Sequence, residues 1–393
     1  MSIIISKPEL TPQNGDLTFS VEVDYLEKQE TLWFRLKKEY AYLVSDRSDA
    51  PLVALLIPAM VLGEDIHLKG TISEKIYCNL SGPFQKVLKL IIPSLHIIKI
   101  FPADVQPAPQ TGLGVAMGFS AGIDSFCVLA DHHYSDIPEG FQVTHLLYNN
   151  VGSWDHGEKG RRIFQMHYEM IKPVTERIGL PFIAVDSNVD SFYEGLDFQQ
   201  THTLRNASVA LLLQKGIKKF LYASGVHYSN AFAGVCNDTA YSDTITLPLL
   251  STEAVDMISA GSEYTRVEKT VKVAKIEDSY KSLDVCARGD TKINCSNCWK
   301  CKRTMLTLDI AGVLDRYSEV FDFALYRKGR DMYIAEVLKS KNPLLCEIVS
   351  FMKTSGFKIP LSSRFYAATR LFVIKNQYKG IMSLLRLKVR NWR

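Results

Sequence analysis

The chain lacks a long apolar run and carries only a small excess of positive charge. Nowhere in its 393 residues is there a stretch approaching the about 18 uninterrupted apolar residues of a membrane-spanning helix. The first residues show no basic segment followed by a long apolar one, so we expect no secretory signal peptide. A net charge of +4 is too small to indicate nucleic-acid binding by itself. These absences favour a cytoplasmic globular protein.

The pattern of the sequence changes twice along the chain. Residues 1–110 contain alternating segments typical of half-buried strands and end in a Pro-rich stretch typical of a linker, so we expect an accessory α+β domain that serves dimerisation or partner docking. Further strands are predicted at 31–36, 52–57 and 96–101, and helical structure at 73–90. Residues 111–313 are predicted to form the main domain. Residues 314–393 are predicted to be helical, with an excess of basic residues from Arg370 onward.

Strands and helices alternate from residue 113 onward. The apolar patterns predict strands at 113–119, 143–148, 181–185 and 220–223, and helices at 123–133, 159–178 and 204–214. Such alternation is typical of a doubly wound parallel sheet with helices on both faces, whose ligands bind outside the carboxyl ends of the strands. Polar or small residues follow the predicted strands at these ends: Ser120, Asn149, Asp186 and Gly225.

The segment 117–125, Met-Gly-Phe-Ser-Ala-Gly-Ile-Asp-Ser, follows the first of these strands and opens the first helix. A strand–loop–helix of small residues directs backbone N–H groups and a helix N-terminus at an anion. We therefore expect the backbone of Ser120, Ala121, Gly122 and Ile123 to approach a phosphate. The lysine of a Walker loop is missing here. Alanine suits position 121 only if that residue does not need a positive φ.

Four of the eight cysteines are clustered in the pattern C-x8-C-x2-C-x2-C, formed by Cys286, Cys295, Cys298 and Cys301. Four thiolates fill a tetrahedral zinc site, and a closed ligand set indicates a structural ion. The last three cysteines would also suit an iron–sulfur cluster, but the fourth lies close upstream, as in a zinc knuckle. The spacing therefore favours structural Zn²⁺.

The two motifs, in this order, resemble those of the 7-cyano-7-deazaguanine synthases, a family of PP-loop ATP pyrophosphatases with an S-G-G-x-D-S signature. Arg205-Asn206 looks like the family's Arg-Asn helix start, and 223–229 looks like its strand-end loop, with His227 in place of Asn. Basic residues follow the last cysteine in both. The resemblance covers about residues 113–312 and implies an adenine nucleotide alpha hydrolase-like fold with a zinc knuckle.

The resemblance implies a ligase that binds ATP and Mg²⁺ and adenylates 7-carboxy-7-deazaguanine or a similar heterocyclic carboxylate. Ammonia, or an amine on a partner, would then attack to give an amide or nitrile. In this reading Ser120 and Ser125 hold the pyrophosphate, and Asp124 binds Mg²⁺ or else caps a helix. Arg205 contacts a phosphate or the carboxylate, or forms a surface salt bridge. Asn149 and Asp186 contact the adenosine, or else form turns. His227 contacts the substrate, or is a hydrogen-bonded loop histidine, and Gly225 in the same strand-end loop contacts the nucleotide. Trp299 stacks on a heterocycle or packs over the knuckle.

Several features depart from the family pattern. Ala121 replaces a second glycine, and Asn237-Asp238-Thr239 stands where the family has an Asp-Cys-Arg-like stretch. The N- and C-terminal regions are additions, as in relatives from anti-phage gene clusters. Two alternatives stay open: a different PP-loop reaction on a sugar or tRNA, and a nucleotide-binding module without catalysis. The basic end of the chain could contact nucleic acid, lipid or an acidic partner, although a solvated helix face is favoured.

Overall fold

The computed structural model describes residues 2–154, 157–287 and 294–369. Over these residues eleven strands form one mixed sheet. The strands are Ser2–Ile5 (β1), Glu9–Gln13 (β2), Asp16–Tyr25 (β3), Lys28–Lys37 (β4), Asp65–Ser73 (β5), Ile100–Gln106 (β6), Gly114–Gly118 (β7), His145–Asn149 (β8), Phe182–Ser187 (β9), Ile217–Ala223 (β10) and Asp256–Ala260 (β11). The α-helices of the same residues are Asp49–Leu62 (α1), Glu74–Leu80 (α2), Pro83–Ile91 (α3), Ile123–His132 (α4), Gly157–Ile178 (α5), His202–Leu212 (α6), Asp243–Leu249 (α7), Arg266–Val273 (α8), Trp299–Ile310 (α9), Phe323–Lys339 (α10), Pro343–Thr354 (α11) and Leu361–Ala368 (α12).

The five strands β7 to β11 form the parallel half of the sheet, in the order β11-β10-β7-β8-β9. The chain runs outward from β7 through β8 to β9, and then returns to pair β10 on the other side of β7. Strand order therefore reverses at β7, and in open α/β sheets the crevice at such a switch point is where ligands bind. The strands and helices predicted for residues 113–223 are confirmed, with shifts of a few residues at their ends.

The N-terminal strands continue the same sheet. β4 pairs with β9 in antiparallel fashion through Phe34–Ser187 and Arg35–Asp186, and β3, β1, β5 and β6 follow outward. The backbone N–H of Ser45 also donates to the carbonyl of Leu212, at 2.8 Å. Residues before and after position 110 thus share backbone hydrogen bonds. The division at 110 into separate domains stays a prediction.

The strand predicted at 52–57 is wrong, because these residues lie within helix α1. The run from Val53 to Met60 is buried on all sides, and an apolar run without periodicity fits a buried helix as well as a buried strand. Gly63 ends the helix with a φ of 72°, a conformation that glycine adopts without a steric penalty. The last predicted strand of this region, 96–101, begins only at Ile100 and runs into the predicted linker.

Helices cover both faces of the parallel half. One core joins the N-terminal strands, α1 and α6, and a second lies on the opposite face beneath α4 and α5. Helices α10 and α11 pack on α8 and α9 through a third core that includes Ile334 and Ile348. No helix within the described residues is both long enough and apolar enough to cross a membrane. The predicted basic segment from Arg370 onward lies outside the described residues.

Candidate functional site

The loop between β7 and α4 holds an alanine in a left-handed conformation. Ala121 is fully buried with a φ of 55°, so the condition under which alanine would suit this position is not met. A left-handed conformation costs a residue with a Cβ atom about 1–2 kcal/mol. The backbone N–H of Asp284 donates to the Ala121 carbonyl at 2.9 Å, and this hydrogen bond helps hold the loop in place.

Asp124, in the first turn of α4, pairs with two cations from α8. Its carboxylate lies 2.8 Å from Arg266 Nη1 and 3.1 Å from Lys269 Nζ. Burial raises the pKa of the Asp124 carboxyl, but the positive charges of Arg266 and Lys269 outweigh this and lower the pKa below its usual value. The side chain does not cap the helix, since the N-cap residue is Gly122 and no side chain caps it. Asp124 therefore stays ionised at neutral pH.

A cleft of about 440 Å³ opens in front of this loop. The loop between β7 and α4, named the phosphate loop after its predicted ligand, contributes Ser120, Gly122, Ile123 and Asp124 to the walls of the cleft. The walls also include three cations and the edge of the cysteine cluster, namely Arg266, Lys300, Arg303, Cys286 and Ala287. The cleft is therefore suited to an anionic ligand.

A second cavity, of about 240 Å³, adjoins the first at the ends of β7, β8 and β10. The two cavities share Ser120, Ser153 and Trp154. Apolar and aromatic residues dominate the second one, among them Leu147, Phe119, Phe220 and Tyr222. Asn149 lines it too: its Nδ2 donates to Asn206 at 3.1 Å, while its buried Oδ1 has no hydrogen-bond partner. A flat group with an N–H donor would satisfy that oxygen.

Trp154 lines both cavities, and its ring is held in place by an adjacent histidine ring. Its ring stacks on that of His167, with centroids 4.1 Å apart and planes 13° from parallel. Asp284 Oδ2 lies 3.3 Å from His167 Nδ1, and Asp284 Oδ1 accepts a hydrogen bond from the Cys286 N–H at 3.2 Å. Asp284 thus connects the phosphate loop, the wall between the cavities and the cysteine cluster.

The four clustered cysteines meet as their spacing predicted. The sulfur atoms of Cys286, Cys295, Cys298 and Cys301 all lie within 4.8 Å of one another. Tetrahedral zinc, with Zn–S bonds of about 2.3 Å, places sulfurs about 3.8 Å apart, and the Cys298–Cys301 and Cys295–Cys301 separations are 3.3 and 4.0 Å. Burial raises the pKa of the Cys295 thiol, but backbone N–H groups of Asn297 and Cys298 outweigh it and lower the pKa to about 7. The cluster can hold a metal ion such as zinc.

Helix α9, which begins after Cys298, carries two cations of the cleft. Arg303 is only 7% exposed, and its guanidinium lies over the exposed ring of Trp299, 5.0 Å from the centroid. Burial and, to a smaller extent, the nearby charge of Arg266 lower the pKa of Arg303 to about 10, so the group stays protonated at neutral pH. Lys300, one turn earlier, also lies near Trp299, at 5.6 Å.

The other predicted site residues lie outside the walls of both cavities. Ser125 is buried and donates to the Gly122 carbonyl. Arg205 is 1% exposed, stacks on Tyr193 at 3.9 Å and donates to the Val151 carbonyl, so it forms no surface salt bridge. Three more residues contact other protein groups and line neither cavity. Asp186 accepts a hydrogen bond from Asn150 and pairs with Arg161, the Gly225 carbonyl accepts from Arg266, and His227 Nδ1 accepts from the N–H of Ser229. Their roles in binding a ligand stay predictions.

Sequence reasoning missed Arg266, Lys269, Asp284 and Trp154. The first two follow Thr265, whose side chain forms a capping box with Glu268 at the start of α8. That T-x-x-E pattern marks a helix start and was a usable signal. Arg266 and Lys269 then lie three residues apart and point to the same partner. Nothing in the sequence pattern indicated that α8 would pack beside the phosphate loop.

No protein-family model, curated protein or solved structure matches this chain. Its chemistry therefore has to be judged from its own residues. They bring together a glycine-containing loop at a strand-order reversal, a cationic cleft, an apolar cavity with one free amide oxygen, and a four-cysteine cluster.

Proposed function

We propose that the chain is a PP-loop ligase that binds ATP across the two cavities and adenylates a carboxylate, as 7-cyano-7-deazaguanine synthases do. The observation that carries this proposal is the joining of the cavities. An apolar cavity and a cationic cleft share Ser120, Ser153 and Trp154 at the point where strand order reverses. A nucleotide has the same two parts, a flat apolar base and an anionic chain of phosphates.

The second cavity suits the adenine base. Aromatic rings of Phe220 and Tyr222 provide flat apolar contacts. The free Oδ1 of Asn149 accepts a hydrogen bond from the exocyclic amino group of adenine, which removes an unsatisfied buried acceptor. This role agrees with the adenosine contact predicted for Asn149.

The cationic cleft suits the phosphates. Backbone N–H groups of the loop and the N-terminus of α4 attract phosphate oxygens, and the hydroxyl of Ser120 donates to them. An oxygen of the substrate carboxylate attacks the α-phosphorus, the α–β phosphoanhydride bond breaks, and pyrophosphate leaves with its electron pair. An amine then attacks the acyl adenylate and expels AMP. Mg²⁺ bound near Asp124 supplies charge neutralisation on the phosphates.

The cysteine cluster serves a structural role in this proposal. Four thiolates around zinc leave no open position for substrate or water. Through Asp284, whose N–H donates to Ala121 and whose Oδ1 accepts from Cys286, the bound metal holds the phosphate loop in its strained conformation. The proposed zinc thus supports the site without taking part in the reaction.

A nucleotide-binding module without catalysis is the second candidate. The observation that favours it is the double ion pair of Asp124, since a carboxylate held by Arg266 and Lys269 must exchange one cation for Mg²⁺. A sulfur-transfer reaction has less support. Cys127, in the same helix as Asp124, is fully buried, and burial raises the pKa of its thiol to about 12. Such a thiol is a poor nucleophile.

The test is pyrophosphate release from ATP and Mg²⁺ with and without 7-carboxy-7-deazaguanine, followed by mass spectrometry of the products. We expect substrate-dependent release, and a loss of about 100-fold or more in Asp124→Ala, because this variant lacks the carboxylate that would hold Mg²⁺ beside the departing phosphate. Asp131→Ala is the matched control: Asp131 joins α4 to α8 through Lys272 but does not line the cleft. ATP binding without pyrophosphate release would favour the binding module.

A further inference from the structure

Arg303 is a buried cation that forms no close ion pair with any carboxylate of the described residues, although the charges of Asp124 and Glu347 act on it from further away. It is 7% exposed and lines the cleft, and its Nε has no hydrogen-bond partner. Among the residues that the structure describes, no carboxylate lies within ion-pair distance of its guanidinium. Its guanidinium lies over the ring of Trp299, 5.0 Å from the centroid. A buried charge without a partner is costly, so such a group indicates a ligand that completes it.

Lys300 adds a second charge to the same wall. It precedes Arg303 by three residues, so the two side chains leave the same face of α9, and both line the cleft. They lie in its first turns, where the helix dipole also favours negative charge. None of the described carboxylates forms an ion pair with Lys300. Two cations on α9 therefore line the cleft without an ion-pair partner among the described residues.

These cations come from a different helix than the two that pair with Asp124. Arg266 and Lys269 come from α8 and are held by Asp124. Lys300 and Arg303 come from α9, beside Cys286 and Ala287, on the wall that also includes Thr304. The cleft thus offers two groups of cations on two different helices.

We propose that Lys300 and Arg303 bind the carboxylate of the second substrate while the phosphate loop of the same cleft binds ATP. This inference rests on the function proposed above. The planar fork of Arg303 matches the geometry of a carboxylate, whereas the loop already provides N–H donors for phosphates. A carboxylate held between the two groups lies beside the phosphates that it must attack. Arg303 then selects an acid over the corresponding amide.

The experiment measures equilibrium binding of three ligands separately: ATP, 7-carboxy-7-deazaguanine, and the 7-carbamoyl analogue, which has the same ring without the charge. They are titrated into the full chain and into Arg303→Met, Arg303→Lys and the control Lys328→Met, an exposed cation on α10. Arg303→Met should weaken binding of the acid by about 10- to 100-fold. Binding of ATP and of the amide should change by less than about threefold, and Arg303→Lys should restore part of the loss.

Equal losses for the acid and the amide, or an equal loss for ATP, would overturn the proposal, because Arg303 would then bind the ring or the phosphates. Failure of the unmodified chain to bind the acid would overturn it too. Binding of the acid without release of pyrophosphate contradicts only the proposed function. Melting temperatures of all four proteins verify that the variants are folded.

Discussion

Two buried charges of opposite sign show how differently the two halves of this molecule use polar groups. Asp49, at the start of α1, has no exposed surface, and Arg303 has 7%. Asp49 accepts hydrogen bonds from the Ser73 N–H at 2.7 Å, the Ser73 hydroxyl and Gln214 Nε2 at 2.6 Å. Burial raises the pKa of Asp49, and these hydrogen bonds with the charge of Arg47 limit the rise. Arg303 has no comparable partner.

The difference in hydrogen-bond partners indicates that Asp49 has a structural role and that Arg303 belongs to a binding surface. The partners of Asp49 come from β5 and from the residues after α6, so its network ties the N-terminal strands to the parallel half of the sheet. All its polar requirements are met within the protein. Arg303, by contrast, lines a cleft and forms no ion pair with the described residues. A satisfied buried charge therefore indicates architecture, and an unsatisfied one lining a cavity indicates a ligand.

The largest effect should come from breaking the satisfied network. Asp49→Ala leaves Ser73, Gln214 and the nearby Arg47 without their common acceptor, and removing one partner from a buried charged network costs about 3–5 kcal/mol of unfolding free energy. Urea denaturation followed by tryptophan fluorescence measures the loss. The exposed neighbour Asp46→Ala should change the unfolding free energy by less than about 0.5 kcal/mol. Similar values for both variants would mean that the network is not a joint.

At Arg303, by contrast, we expect a substitution to raise the unfolding free energy. Without ligand, Arg303→Met replaces a buried unpaired guanidinium by an apolar chain and should raise the unfolding free energy by about 1–2 kcal/mol. The matched change Arg266→Met should lower it, because Arg266 contributes a 2.8 Å ion pair to Asp124. The same denaturation measurement distinguishes them. A loss of stability in both variants would show that Arg303 already has an adequate partner in the free protein.

Local patterns predicted the parallel half of the fold better than the N-terminal half. Strands and helices at 113–223 alternate with clear apolar runs and turns between them, and the structure confirms them. The segment 52–57 was predicted as a strand because its apolar run carries no periodicity. Strands β1, β2, β5 and β11 were missed. The pairing of β4 with β9 joins residues more than 150 positions apart, and no local pattern specifies such a contact.

The candidate site also contains residues that local patterns predicted and residues that they did not. The phosphate loop and the four cysteines are local motifs, and their grouping followed from spacing alone. The cations of the cleft come from α8 and α9, far along the chain, and only the packing of α8 brings Arg266 and Lys269 to Asp124. Arg205 was chosen for its place at a helix start, yet the fold buries it against Tyr193. Spacing identifies a motif, but packing decides which charges it meets.

The smallest predicted effect concerns the residue at which this loop departs from the expected glycine. Ala121 has a φ of 55°, where a Cβ atom clashes with its own backbone. Ala121→Gly removes that strain but makes the unfolded chain more flexible, so the unfolding free energy should rise by only about 0.5–1 kcal/mol. Differential scanning calorimetry measures the corresponding rise in melting temperature.

Ala130→Gly, in the last turn of α4, is the matched control. It should lower stability by about 0.5–1 kcal/mol, because glycine in a helix is less favourable than alanine. The same substitution nine positions apart is thus expected to have opposite signs. A loss at both positions would mean that Ala121 does not adopt the left-handed conformation. A gain at Ala121 would mean that the chain retains a strained loop beside its cationic cleft, as functional sites often do.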